Sequence, residues 1–250
     1  MLTRRDFLLS SAAAGLLGCT PGLFSSPRSQ RHCRAAIAGP LWWISRDECA
    51  RWGVAGWRKE LDQQHRLGFD VLWLTNASHL VENPGFSLRQ LMDLCAQRTV
   101  RVILDTGFNG DWYRSLDLKG ELEACTRNIR SIGNKLATHP AFFAWYLPHE
   151  IYMCWGPMDE YIRQLYPRLV DACKKAAPLP ATVSPFFILD RTKAFGDFRF
   201  NEPDEYRAYW ARLIRASGLD IVMLQDSGEH FSYVTNDERR PFFKRRMPHP

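Results

Sequence analysis

The sequence predicts an α/β fold of the (β/α)8 TIM-barrel type, on three observations. From residue 35 onward, apolar runs rich in β-formers alternate with amphipathic helical stretches, the pattern of parallel strands joined by helical crossovers. Runs such as Val71-Leu72-Trp73-Leu74 are near-continuously apolar, as strands covered by helices on their faces are. Residues able to do chemistry gather just after the runs, at Asp105, Glu150 and Asp226. A barrel builds its active site at those carboxyl ends, although open α/β sheets bind ligands at the same edge. No GxGxxG or GxxxxGKS/T follows any strand, which removes the usual argument for a nucleotide-binding open sheet.

Taken in order, the chain begins with an address. Arg4-Arg5-Asp6-Phe7-Leu8 precedes an apolar stretch, Leu9 to Gly18, too short to span a bilayer and shaped like a signal peptide of the twin-arginine type. Residues 1–18 are read as that signal. Leu16-Leu17-Gly18-Cys19 has the form of a lipobox, making Cys19 the expected lipid-bearing residue, and residues 19–34 follow as a Pro/Ser/Arg-rich linker. The expected location is therefore outside the cytoplasm, in the periplasm or cell envelope, with the twin-arginine export machinery as one partner and the membrane, through the lipid, as another.

The barrel domain is placed at 35–244. Expected strands are Ala36–Ile44, Asp70–Thr75, Arg101–Thr106, Ala141–Leu147, Ala181–Phe187 and Ile221–Gln225. Between them, Trp57, Leu61 and Leu67 mark one helix, Leu88, Leu91 and Cys95 another, and Leu122, Cys125, Ile129, Ile132 and Leu136 a third, all at helical spacing. Gly156-Pro157 and Glu202-Pro203 read as helix starts, where proline gives up no needed donor. The strands recur about every 37 residues, so eight units need about 300 residues. About six βα units fit, and the expectation is an incomplete barrel without its C-terminal units, ending in an atypical tail at 245–250.

Composition narrows the partners. At 46% hydrophobic and 13% aromatic the chain can bury a core. The net charge of +6 sits at the ends: residues 1–34 carry five arginines against Asp6, and 237–250 carry five bases against Asp237 and Glu238, leaving 35–236 at −1. Nucleic acid, which needs clustered Lys and Arg on one face, is excluded as a partner. Seven cysteines (19, 33, 49, 95, 125, 154 and 173) show no CxxC, so neither a zinc motif nor a disulfide framework is indicated. Cys95, Cys125 and Cys173 fall within helical stretches, where a thiol acts as a small buried hydrophobe.

The densest chemical segment is Trp145-Tyr146-Leu147-Pro148-His149-Glu150-Ile151-Tyr152. A carboxylate at a strand end among aromatic rings supplies a general acid/base, whose proton apolar burial would help retain, and flat faces for sugar C–H groups. Glu150 is the expected acid/base, flanked by His149 and Tyr152. In Asp105-Thr106-Gly107-Phe108-Asn109-Gly110-Asp111-Trp112-Tyr113, Asp105 and Asn109 offer oxygens to hydroxyls, and Trp112 and Tyr113 offer stacking surfaces. Asp226, Glu229 and His230 form a third segment in which Asp226 is the expected second catalytic carboxylate, with Glu229 and His230 in the cleft. Of Trp42-Trp43 alternation lets one ring face a ligand, taken as Trp43. His149, Glu150, Asp226 and His230 are also types that a metal-dependent hydrolase uses, but HExxH is absent and adjacent His149 and Glu150 seldom aim at one point. No metal and no cofactor are expected. No GxSxG is present for a serine hydrolase.

Leu104-Asp105-Thr106-Gly107-Phe108 with Gly110-Asp111-Trp112-Tyr113, and Trp145-Tyr146-Leu147-Pro148-His149-Glu150, resemble the signature segments of an exported bacterial family, domain of unknown function 4434, itself similar to TIM-barrel glycoside hydrolases. The resemblance spans roughly residues 36–244 and implies a barrel with glycosidase-like activity on a poly- or oligosaccharide. Compared with retaining barrel glycosidases, Glu150 corresponds to the acid/base after the fourth strand, with His149 standing where those enzymes carry asparagine. Their nucleophile follows a seventh strand. The alternative expectation is a carbohydrate-binding or inactive truncated barrel without turnover, and the second alternative is a metal-dependent hydrolase.

Overall fold

The computed structural model describes residues 38–83, 85–188 and 202–225. Six strands, β1 (Leu41–Trp43), β2 (Val71–Thr75), β3 (Arg101–Asp105), β4 (Phe142–Leu147), β5 (Ala181–Val183) and β6 (Ile221–Val222), form one sheet in the order β1-β2-β3-β4-β5-β6. Every pairing is parallel. Between the strands run α1 (Arg46–Arg66), a 3-10 turn (Ser78–Leu80), α2 (Leu88–Ala96), the short α3 (Trp112–Ser115), α4 (Leu118–Leu136), α5 (Gly156–Ala176) and α6 (Pro203–Ser217). A doubly wound sheet reverses its strand order at a switch point. Here each strand lies beside its successor, so the connections wind in one sense, as in a (β/α)8 barrel wall.

Alternation along the strands separates two apolar layers. Leu72, Leu74, Val102, Leu104, Trp145, Leu147, Ala181 and Val183 pack in the larger cluster, together with the buried faces of the helices. Val71, Ile103, Ala144, Tyr146, Ile221 and Met223 form a second, smaller cluster against Ala38, Trp73 and Phe143, without a helical residue. The helices thus cover one face, and the other is the inner face of the barrel wall. A register shift opposite Val102 and Ile103 places both Phe143 and Ala144 on that inner face and aligns Tyr146 with Asp105.

Helix starts follow from local chemistry. Ser45 and Ser87 close capping boxes with Glu48 and Gln90, Asp117 accepts from the Gly120 amide, and Pro157 and Pro203 open α5 and α6. Three strands are shorter than their apolar runs, the sixth, expected to Gln225, pairing only over Ile221–Val222. The first, expected from Ala36, pairs regularly only over Leu41–Trp43 because Pro40 has no N–H to donate. The fifth stops at Val183, since Pro185 lacks a donor two residues on. Cys49, Cys95, Cys125, Cys154 and Cys173 are buried free thiols, as the hydrophobic reading of the helical cysteines expects. No helix among the described residues is long and apolar enough to cross a membrane.

Candidate functional site

The carboxyl ends of β1, β2 and β3 are tied to one another by polar contacts, which fixes the loops that follow them. Thr75 Oγ1 donates to the Trp42 carbonyl (3.2 Å), and Asn76 Nδ2 donates to the Ile44 carbonyl (2.8 Å). Asp105, 1% exposed at the end of β3, accepts the Asn76 amide at Oδ2 (2.9 Å) and the Ala77 amide at Oδ1 (3.3 Å). Burial pushes its carboxyl up to about 6, against the pull of those amides. Asp105 therefore holds the loop after β2 and does not offer its oxygens to a ligand, contrary to its expected place in the cleft.

Beyond β4 the chain sends two adjacent side chains in different directions. Glu150 is exposed, and its Oε1 accepts the Tyr146 hydroxyl at 2.5 Å. Tyr146 itself is buried on the inner face, with its ring 4.4 Å edge-on from Trp73. Among the described residues, the apolar burial expected around the Glu150 carboxylate is absent: the group is exposed, with the Tyr146 phenol bonded to it. His149 is fully buried, its Nε2 2.7 Å from Glu121 Oε1, and its carbonyl accepts the Tyr166 hydroxyl (2.7 Å). The expected His149 contact with a ligand gives way to a supporting role, because helix α4 covers the ring.

Glu121 is the hub of this region. It is 1% exposed, accepts the Asn109 amide at 3.1 and 3.2 Å and takes the Cys125 thiol at 3.4 Å. Burial alone would push its carboxyl up, but the hydrogen bond and charge of His149, with the Asn109 amide, hold it below the ordinary carboxylate range. One buried carboxylate thereby joins the loop after β3 to the segment that presents Glu150. Glu121, Cys125 and His149 together also form a group of ligand types able to hold a metal ion.

Aromatic rings line this edge. Trp43 pairs with Thr75 and so shares the inner face, 54% exposed, whereas Trp42 turns outward and packs on Trp52 and Trp57. The Trp43 ring lies 6.1 Å from Phe108, and Phe108 lies 6.4 Å from His149. Gly107, at φ 71°, turns the loop, and a β-carbon there would overlap the Asn128 side chain. Asn109 and Tyr113 are exposed. Trp112 is 8% exposed and packs between His149 (5.1 Å) and Tyr161 (6.4 Å), so it serves the core and offers no open stacking face. Tyr152, half-buried, contacts Trp155 (6.2 Å) and Phe186 (5.5 Å).

Of the expected site residues, Trp43, Asn109, Tyr113, Glu150 and Tyr152 are accessible around the strand ends, whereas Asp105, Trp112 and His149 support them from below. Asp226, Glu229, His230 and Cys19 lie outside the described residues. Glu121 was not anticipated, yet the signal was present: four residues before Cys125, it continues the buried stripe 121, 125, 129, 132 and 136 of α4. Tyr146, Phe108, Trp155 and Phe186 were hidden for a simpler reason, since aromatics near strand ends read equally well as core. A groove of about 430 Å³ on α4, lined by Leu122, Glu123, Thr126, Arg127 and Arg130, includes none of these residues and has no buried polar side chain in its lining.

Among solved structures, the fold is similar to a candidate α-L-fucosidase from Bacteroides thetaiotaomicron VPI-5482, with a TM-score of 0.58 at 14% identity, covering 89% of this chain and 77% of that one. Weaker likenesses are to the endo-β-1,4-mannanase of Thermotoga petrophila, TM-score 0.44 at 9% identity over 76% and 61% of the two chains, and to the carboxyl transferase domain of Rhizobium etli pyruvate carboxylase, TM-score 0.43 at 16% identity over 74% and 28%. No curated protein sequence matches at a significant level. Residues 37–247 match the family model described as "Domain of unknown function (DUF4434)".

Proposed function

We propose, from the premise that the chain belongs to the family described as Domain of unknown function (DUF4434), that it is a carbohydrate-active barrel of glycoside hydrolase type. Its ligand is a poly- or oligosaccharide, and Glu150 is its general acid/base. The observation that carries the reading is the exposed Glu150 carboxylate at the end of β4, bonded to the Tyr146 hydroxyl at an edge bearing exposed Trp43, Tyr113 and Trp155. A carboxyl group that exchanges a proton with a glycosidic oxygen, beside rings that meet sugar C–H faces, is what such chemistry requires. Tyr146 would orient Glu150 by donating to it.

Glycoside hydrolysis of the usual kind takes two carboxyl groups. Asp105 does not supply the second, because both its oxygens accept backbone amides and it is buried; Asp226 is the proposed second group. The commitment of Asp105 favours, as the second reading, a barrel that binds saccharide without cleaving it. The reading also places the protein outside the cytoplasm, supported by Arg4-Arg5 before an apolar run and by Cys19 at the end of a lipobox-like segment.

The test is a panel of neutral oligo- and polysaccharides, read by calorimetric binding and by release of reducing ends. Hydrolysis that falls about 100-fold or more in Glu150→Gln with binding retained supports the acid/base role. Binding with no release by either protein establishes the second reading. Equal rates for both proteins remove Glu150 from the mechanism.

A further inference from the structure

Beneath the strand ends, three side chains of three chemical types converge. Glu121 and Cys125 are four residues apart on α4 and so share one helix face, and His149 reaches them from beyond β4. A carboxylate oxygen, the thiol sulfur and an imidazole nitrogen all lie within 4.8 Å of one another. Glu121 Oε1 is the common point, 2.7 Å from His149 Nε2 and 3.4 Å from Cys125 Sγ, while the Gly107 carbonyl oxygen stands 3.1 Å from the same sulfur. All three side chains are buried. Two of the three are already held in place: the Tyr166 hydroxyl bonds the His149 backbone carbonyl, and the Asn109 amide bonds the Glu121 carboxylate, the latter an outer contact of the kind that aims a metal ligand.

Thiolate, imidazole and carboxylate are the set that zinc takes. Charge also balances. A divalent cation against one carboxylate and one thiolate, with a neutral imidazole, leaves no net charge in a site where an uncompensated ion would be costly. We propose that Glu121, Cys125 and His149 form a closed structural site for a zinc-class divalent cation, with the Gly107 carbonyl beside it as the fourth group. On binding, bonds from the metal to oxygen, sulfur and nitrogen form and the S–H bond breaks, its proton leaving to solvent. The Nε2–H bond of the charged imidazole breaks as well, its proton also leaving to solvent, and the remaining proton stays on Nδ1, which has no hydrogen-bond partner among the described residues. With its ligands buried, the site does not deliver a metal-bound water to a substrate; it clamps the loop after β3 to the segment carrying Glu150, and it stands independently of the proposed saccharide chemistry.

The experiment loads the full chain with Co²⁺ during refolding, since the ligands are buried, then dialyses it. Expected are one retained cobalt per chain, a thiolate-to-cobalt charge-transfer band in the near ultraviolet and a raised thermal midpoint. In Cys125→Ser the band is lost and affinity falls by at least the roughly 10–100-fold that losing an outer partner of a ligand costs, whereas Cys154→Ser, at another buried thiol, keeps both. Wild-type chain that retains no cobalt overturns the proposal whatever the variants do, as does a band that survives Cys125→Ser or vanishes in Cys154→Ser. If Cys125→Ser does not fold, X-ray absorption of the cobalt-loaded wild type decides: one sulfur neighbour among nitrogen and oxygen supports the site, and a shell of nitrogen and oxygen alone refutes it.

Discussion

Asp105 closes β3 with a buried carboxylate. Its type and its place after a strand mark it for chemistry, but the loop after β2 turns back over it at Asn76, whose φ of 59° aims its amide, with that of Ala77, at the carboxylate. That return comes from the fold and has no local signature in residues 104–113. The consequence is measurable. Burial raises the Asp105 carboxyl to about 6, above its unfolded value, so the folded chain holds this proton more tightly than the unfolded one. The associated stability is full below about pH 4 and declines as pH rises toward 6. Asn at this position carries no such slope and turns an amide donor toward the backbone amides, at a cost of about 1–3 kcal/mol. Urea unfolding across the pH range is expected to show the deficit of Asp105→Asn largest near pH 4 and smaller at pH 7.

At the scale of elements, the strands and helices were legible because burial imposes periods: the runs around Val71, Arg101 and Phe142 and the stripe on α4 emerge where the sequence places them. Strand ends were less so, because proline cancels a hydrogen bond without changing hydrophobicity, as at Pro40 and Pro185. Glu121 is not legible as a hub from sequence, because a carboxylate within an apolar stripe reads as a surface residue until its partners are known. The site depends on α4 and α5 together, since one carries Glu121 and the other Tyr166. They meet closely at Gly133, where a β-carbon would stand 2.8 Å from the Ala176 β-carbon. Gly133→Ala is expected to destabilise the chain by about 1–3 kcal/mol through overpacking, and Ala176→Gly to restore most of that loss. Thermal unfolding of the two single variants and the double variant, arranged as a cycle, checks the coupling.

For the molecule as a whole, the alternation of strands and helices was enough to choose the fold, since the sequential strand order and the single helical layer are what a barrel wall demands. The charge distribution has a bearing on partners. With residues 35–236 at −1, recognition of a neutral saccharide rests on stacking and hydrogen bonds. Affinity is therefore expected to change less than about twofold between about 50 and 500 mM salt, where binding through phosphate contacts would fall by orders of magnitude; titration at the two salt concentrations checks it. The divergence of Trp42 and Trp43 has a further, optical consequence. Two neighbouring indoles sit in opposite surroundings, one packed against Trp52 and Trp57 and the other more than half open to water. The emission of Trp43, with that of the less exposed Trp155, is thus the part that a dissolved quencher can reach, and a ligand seated on the Trp43 ring shields it, so the protein reports occupancy of its own mouth without a label.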